Sequence, residues 1–131
     1  MVPIRFGYTI CYVDDVRDAL AFYEAALGLK TRFVNVEGEM QYGELETGET
    51  VLAFASHALA TASAGEECSH RPAAFEIAFV TDDVAAAVAQ SVAAGATLVR
   101  GPTEKPWGQT VAYVRDPDGI LVELCTPMPT A

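Results

Sequence analysis

The sequence predicts an α+β protein made of two copies of a βαβββ unit, and three observations lead to that expectation. The first is a repeat. "CYVDDVRDALAFYEAALGLKTRF" at 11–33 parallels "AFVTDDVAAAVAQSVAAGATLVR" at 78–100, with Asp14, Asp15 and Val16 standing 68 positions before Asp82, Asp83 and Val84, and Gly28 standing 67 before Gly95. So constant an offset points to two copies of one supersecondary unit. The second is that each copy passes from an apolar strand end to a helical period and back to strand-like runs. The third is composition: 131 residues, 51% hydrophobic and 20% charged, suit one compact domain with a sizeable core rather than a disordered chain.

In the first copy a strand is expected over 5–13 and a helix over 15–27. An Asp at the strand-to-helix junction accepts from the first free N–H groups of the helix and suits the positive end of its dipole. Val16, Leu20, Tyr23 and Leu27 recur at helical spacing, and Gly28 stops the run as a C′ residue. Strands follow over 30–36, 40–46 and 50–56. The stretch "HALATASAGEECSHRP" at 57–72 is small and polar with no clear period, and reads as a connecting segment.

The second copy begins with a strand at 74–80 and a helix at 83–94 carrying Val84, Val88 and Val92 at helical spacing, closed by Gly95. Strands are expected over 97–100, 109–115 and 120–126. "DPDG" at 116–119 is a turn with a mechanism, since Pro117 fixes φ at the first corner while Asp118 and Gly119 tolerate the rest. The organisation is therefore module one at 1–56, a linker at 57–73 and module two at 74–127.

Eighteen acids against eight bases leave a net charge of -10. A nucleic-acid backbone or an anionic membrane surface would be repelled on average, so neither is expected as a partner. Cys11, Cys68 and Cys125 are odd in number and form no C-x-x-C pair, and two of them lie in apolar strands, where a free Cys behaves as a small hydrophobe. The start "MVPIRFGYTI" has no basic region followed by a long apolar one. A soluble, reduced, cytoplasmic protein is the expectation.

Three segments carry a resemblance to a known family: "YVDDVRDALAFYEAALGLK" at 12–30, "EIAFVTDDV" at 76–84 and "VAYVRDPDGILVEL" at 111–124. With the paired βαβββ order, the chain resembles the vicinal oxygen chelate superfamily, which holds glyoxalase I, extradiol dioxygenases and bleomycin-resistance proteins. The resemblance implies curved mixed sheets around a cleft between paired modules, in a homodimer. It also implies, in metal-dependent members, one ligand on the first and one on the last strand of each module. Carried over residue by residue, these positions are Tyr8, Ala53, Glu76 and Glu123. A phenol keeps its proton at neutral pH and ligates divalent ions poorly, and Ala53 has no donor. Glu76 and Glu123 remain, fewer protein donors than Zn, Mn or Fe sites generally use.

Alternation places Glu76 with Ala78 and Val80 on one face of its strand and Phe75, Ile77 and Phe79 on the other, while Glu123 shares a face with Leu121 and Cys125. The resemblance implies that this face lines the cleft. Two acids there repel, raising the pKa of one unless a cation intervenes. Each acid either contacts a ligand or bonds a nearby Tyr, Gln or Arg and fixes the pocket. Tyr8 is read in the same two ways, as substrate contact or as cleft wall. In "EKPWGQTVAYV", Trp107 offers a flat surface on which a planar ligand stacks, or else plugs the core or a dimer contact; Gln109 adds a donor and an acceptor. Val111, Tyr113 and Arg115 share the face of Gln109. His57 and His70 fall in or beside the linker, away from the expected ligand strands. Tyr42 and Phe54 either line the first module's side or, as ordinary strand aromatics, belong to the core.

The function expected is binding of a small organic ligand, of the bleomycin-resistance kind, by Tyr8, Glu76, Trp107, Gln109, Tyr113 and Glu123, with no cofactor and no complete metal site. An acid-lined site on an acidic chain suits a cationic or hydrogen-bond-donating ligand. The alternative is a metal-dependent lyase, isomerase or dioxygenase of the glyoxalase type, with a divalent metal held in part by Glu76 and Glu123 and with Glu123 as the catalytic proton carrier. A paired-module interaction protein without a small ligand is the third class.

Overall fold

The computed structural model describes residues 3, 6–64 and 75–129, so Cys68 and His70 lie outside the described residues. The chain divides into two compact units, 1–24 with 29–72 and 25–28 with 73–131. Each is built on its own four-stranded mixed sheet.

The first sheet comprises β1 (Tyr8–Val13), β2 (Thr31–Glu37), β3 (Met40–Leu45) and β4 (Val51–Ser56), in the order β1-β4-β3-β2. β1 runs parallel to β4 and the remaining pairs are antiparallel. The parallel pair requires a crossover, and α1 (Val16–Leu27) lies within it. Asp15 starts α1 as the sequence suggests: its Oδ1 accepts from Asp18 N at 2.9 Å. Gly28 ends it at a φ of 71°, a conformation only glycine adopts without strain.

Strand alternation decides what the first sheet buries. Cys11 and Val13 of β1 are buried, whereas Tyr8, Ile10 and Tyr12 are exposed. The buried side meets α1: Val16, Leu20 and Tyr23 are buried, and the Tyr23 and Phe54 rings stack at 5.3 Å. Gly43 makes the approach of α1 to β3 close. A Cβ there would stand 2.8 Å from both Leu20 Cδ1 and Val16 Cγ1. Burying a side chain such as Leu45 or Phe54 contributes about 1.5–3 kcal/mol.

A helix, α2 (His57–Ala64), occupies the start of the segment read from sequence as an unstructured linker over 57–73. Its alternate alanines have the highest helix propensity, and Ser56 caps it, Oγ accepting from Leu59 N at 3.2 Å. Ser56 is tied in turn to the hairpin before it, donating to Glu39 O at 2.6 Å and accepting from Gln41 N at 3.2 Å. His57 Nε2 lies 3.0 Å from Asp14 Oδ1, so this histidine sits at a helix start beside an acid rather than in a loop.

The second sheet comprises β5 (Ile77–Val80), β6 (Thr97–Glu104), β7 (Thr110–Arg115) and β8 (Leu121–Cys125), in the order β5-β8-β7-β6, with β5 parallel to β8. The crossover helix α3 (Val84–Ala93) is capped by Asp83, whose Oδ1 accepts from Ala86 N at 3.0 Å. Its buried stripe is Val84, Ala87 and Ser91, not the expected Val84, Val88 and Val92; Val92 is exposed. Both stripes fit a helical period, but the small residues allow a closer approach to the sheet, and Ser91 satisfies its hydroxyl by donating to Ala87 O at 2.7 Å.

β6 (Thr97–Glu104) continues past Arg100, the end expected from sequence, through Gly101 and Pro102. Register shifts between Leu98, Arg100 and Thr103 absorb the irregularity, and β6 is an edge strand, where a proline is tolerated. The 116–119 turn forms the expected hairpin. Asp116 is buried and its Oδ1 accepts from Asp118 N at 2.9 Å and Ile120 N at 2.8 Å, while Gly119 adopts a φ of 89°. Arg115 donates to Gly119 O in this turn at 3.0 Å. Among the described residues, no helix is long and apolar enough to cross a membrane.

Candidate functional site

The exposed face of the second sheet gathers three of the sequence-derived site residues. Tyr113 of β7 is directly opposite Glu123 of β8, and Glu123 is paired in turn with Ala78 of β5. Residues paired in this way project to the same side of a sheet. The Tyr113 hydroxyl donates to Glu123 Oε1 at 3.1 Å. Leu124, one residue on, is fully buried on the opposite side, so the alternation that turns Glu123 outward is enforced by the core.

Glu76 stands one residue before β5 rather than inside it, and is exposed. Its carboxyl is nonetheless pushed above the usual range, by lost hydration first and by the charge of Glu123 second. Tyr113 is pushed up as well, chiefly by burial and then by its hydrogen bond to Glu123. Cys125, buried on β8, has its thiol raised by burial and next by the Glu123 charge, so it stays a neutral thiol. The chemistry of the face is thus a half-buried carboxylate, held by a phenol and crowded by a second acid. Such a face gains from an incoming cation.

Trp107 and Gln109 form a separate arrangement between β6 and β7. The indole Nε1 donates to Gln109 Oε1 at 2.8 Å, and Gln109 Nε2 donates to Thr126 O at 2.9 Å. Gln109 therefore braces the loop against the strand end, and the donor and acceptor foreseen for a ligand are both engaged. Thr126 Oγ1 completes the brace by accepting from Thr110 N at 2.9 Å. Trp107 remains 55% exposed, so its ring is pinned by its N–H yet open on a face.

Tyr8 belongs to the other sheet. It is exposed on β1, in line with Ile10 and Tyr12. On this sheet a carboxylate appears that the sequence reading did not select. Glu44 of β3 pairs with Ala53 of β4, and Ala53 pairs with Ile10 of β1. Tyr42 donates to Glu44 Oε2 at 2.7 Å, and Arg32 Nε lies 3.7 Å from Glu44 Oε1. The register shift between Thr31 and Phe33 makes Arg32 the extra residue of a bulge, a device that re-aims a side chain. Burial, then the Glu44 hydrogen bond and charge, pushes the Tyr42 phenol up to about 12. The signal available in the sequence was the alternation of Tyr42, Glu44 and Glu46 in "MQYGELE"; what it lacked was the partner strand.

The four positions that the family pattern assigns to metal ligands do not present a fitting donor set. Ala53 is a fully buried methyl, Tyr8 is an exposed phenol, and Glu123 already accepts from Tyr113. Among the described residues, no group of three or more His, Cys, Asp or Glu side chains could hold a metal ion. Asp14, Glu39, Gln41, Ser56 and His57 line a hollow in the first unit, apart from these positions.

The family model for the Glyoxalase/Bleomycin resistance protein/Dioxygenase superfamily matches residues 5–124. Among curated proteins, YraH of Bacillus subtilis (strain 168) is 29% identical over 117 residues, 86% of this chain and 90% of that protein. A probable lactoylglutathione lyase of Vibrio cholerae serotype O1 is 27% identical over 128 residues, 92% of this chain and 88% of the relative. Among solved structures, a glyoxalase-related enzyme from Fulvimarina pelagi superposes with a TM-score of 0.83 at 25% identity, covering 94% of this chain and 88% of that one. The chain belongs to the Glyoxalase/Bleomycin resistance protein/Dioxygenase superfamily, within the vicinal oxygen chelate group.

Proposed function

We propose that this protein binds a small organic molecule bearing a protonated amine or a comparable donor, on the exposed face of its second sheet. Glu123 supplies the charge, Tyr113 orients it, Glu76 adds a second acid, and Trp107 offers a stacking surface beside the sheet. The protein works in the cytoplasm as a homodimer. The reading rests above all on the Glu123 carboxylate, which accepts from the Tyr113 hydroxyl at 3.1 Å on the outward face of the second sheet and whose charge repels that of Glu76. That repulsion is relieved by a bound cation, and the net charge of -10 favours the approach of one.

A second reading is supported by the relative named a probable lactoylglutathione lyase. It makes the chain a lyase or isomerase that uses a divalent metal, with Glu123 as the proton carrier. The donor chemistry at Tyr8 and Ala53 weighs against it. Metal analysis of purified protein separates the two: binding without catalysis predicts no stoichiometric Zn, Ni, Mn or Fe, whereas about one tightly held ion per chain reverses the ranking.

A further inference from the structure

The family pattern asks for a donor on the last strand of the first module, and this chain has Ala53 there. The side chain that occupies the neighbourhood comes from the next strand. Glu44 is the direct cross-strand partner of Ala53, so its carboxylate projects from the same face of the sheet, adjacent to the missing donor. Its side chain is 23% exposed, which leaves the carboxylate accessible while removing much of its water.

Three further observations give this carboxylate a chemical preference. Tyr42 holds one oxygen at 2.7 Å as a neutral donor, fixing the orientation of the group. Phe33, paired with Glu44 across β2 and β3, is 51% exposed, and its ring lies 6.3 Å from that of Tyr42. The contact to Arg32 is long, 3.7 Å from Nε, and the guanidinium is 47% exposed, so it is not a bidentate clamp. An oriented carboxylate with aromatic faces beside it is the pairing that recognises an alkylammonium group, which gains from both the charge and the ring quadrupoles.

We propose that Glu44, standing beside Ala53, is the anionic recognition residue of the first sheet and takes a protonated amine, with Tyr42 and Phe33 as its aromatic walls and Arg32 as a displaceable internal cation. The inference deepens the binding reading above and rests on it for the ligand class, but it concerns a different carboxylate on a different sheet. Arg32 then competes with the ligand rather than assisting it. The bulge in β2 that brings Arg32 to Glu44 serves to neutralise the acid when the face is empty.

The test is a titration of isotope-labelled protein with benzylamine, benzyl alcohol and benzoate, read as amide chemical-shift changes at Glu44 and Ala53 and, separately, at Tyr113 and Glu123. Benzylamine alone is expected to shift the Glu44 and Ala53 signals saturably. Glu44→Gln keeps the shape and the Tyr42 contact, and is expected to weaken that response about tenfold or more. Arg32→Met is expected to strengthen it severalfold, a result that a merely structural ion pair would not produce. Equal responses to benzoate, an unchanged response in Glu44→Gln, or a weaker one in Arg32→Met overturns the inference. If the first sheet is silent while the second responds, Glu44 alone is refuted; if neither sheet responds, the binding reading fails with it.

Discussion

Tyr113 and Glu123 face each other across β7 and β8, and the phenol donates to the carboxylate at 3.1 Å. Opposed residues in an antiparallel pair keep their separation because the backbone ladder sets it, so the orientation of Glu123 is built into the sheet. Replacing Tyr113 with Phe removes the donor and leaves the ring. The expected stability cost is about 1 kcal/mol, read by denaturant unfolding. Affinity for a cationic ligand is expected to fall severalfold, since the carboxylate is then free to turn. No change in affinity would show that Tyr113 does not position Glu123.

Tyr42 provides a pH test whose sign is fixed by its environment. Its pKa is raised from 10.0 to about 12 by burial first and by Glu44 next. A raised acid favours the protonated phenol in the folded state, so this contribution to stability is complete below the unfolded value and is lost as pH climbs through the folded one. The window is therefore about pH 10 to 12. Ultraviolet titration of the folded protein should show a late-ionising tyrosine that disappears in Tyr42→Phe and ionises earlier in Glu44→Gln.

Gly43 is a packing test of the first unit. A methyl at this position meets Leu20 Cδ1 and Val16 Cγ1 at 2.8 Å, and both side chains are buried and cannot swing away. Gly43→Ala should destabilise the protein by about 1–3 kcal/mol through overpacking between α1 and β3. Denaturant melts with an unchanged m-value check it. A neutral result would mean that α1 rides farther from the sheet.

Asp116 is the corresponding test in the second unit. Its buried carboxylate takes two backbone N–H groups of the hairpin turn. Asp116→Ala strands both donors and should cost about 2 kcal/mol or more, whereas Asp116→Asn, which keeps an acceptor, should cost less. Thermal melts of the two variants give the order directly.

The repeat and the alternation of apolar residues made most of the fold legible. Asp15 and Asp83 cap the helices as their positions after a strand suggest, and Glu123 faces outward because Val122 and Leu124 must face in. α2 was hidden because it shows no amphipathic period. It buries Ala60 alone and depends on alanine propensity and the Ser56 cap. β6 runs on through Gly101 and Pro102, residues that usually end a strand, and its position at a sheet edge, which local sequence does not reveal, explains why they do not. The site was less legible for a related reason. Glu44 acquires its meaning from a register with Ala53 and from a bulge at Arg32, and neither is written in local sequence. Gln109 looked free until the indole of Trp107 was found on its oxygen.

The central claim is that Glu123 recognises a small cationic ligand without help from a metal. Trp107 is the protein's single tryptophan, so its fluorescence reports on the second unit alone. Metal-depleted wild type and Glu123→Gln, titrated with an aromatic amine and its matched carboxylate, test the claim most directly. Saturable binding of the amine, indifference to the carboxylate, and about a tenfold or greater loss in Glu123→Gln are expected. Equal affinity for both ligands, or binding that appears only after a divalent ion is restored, would contradict it.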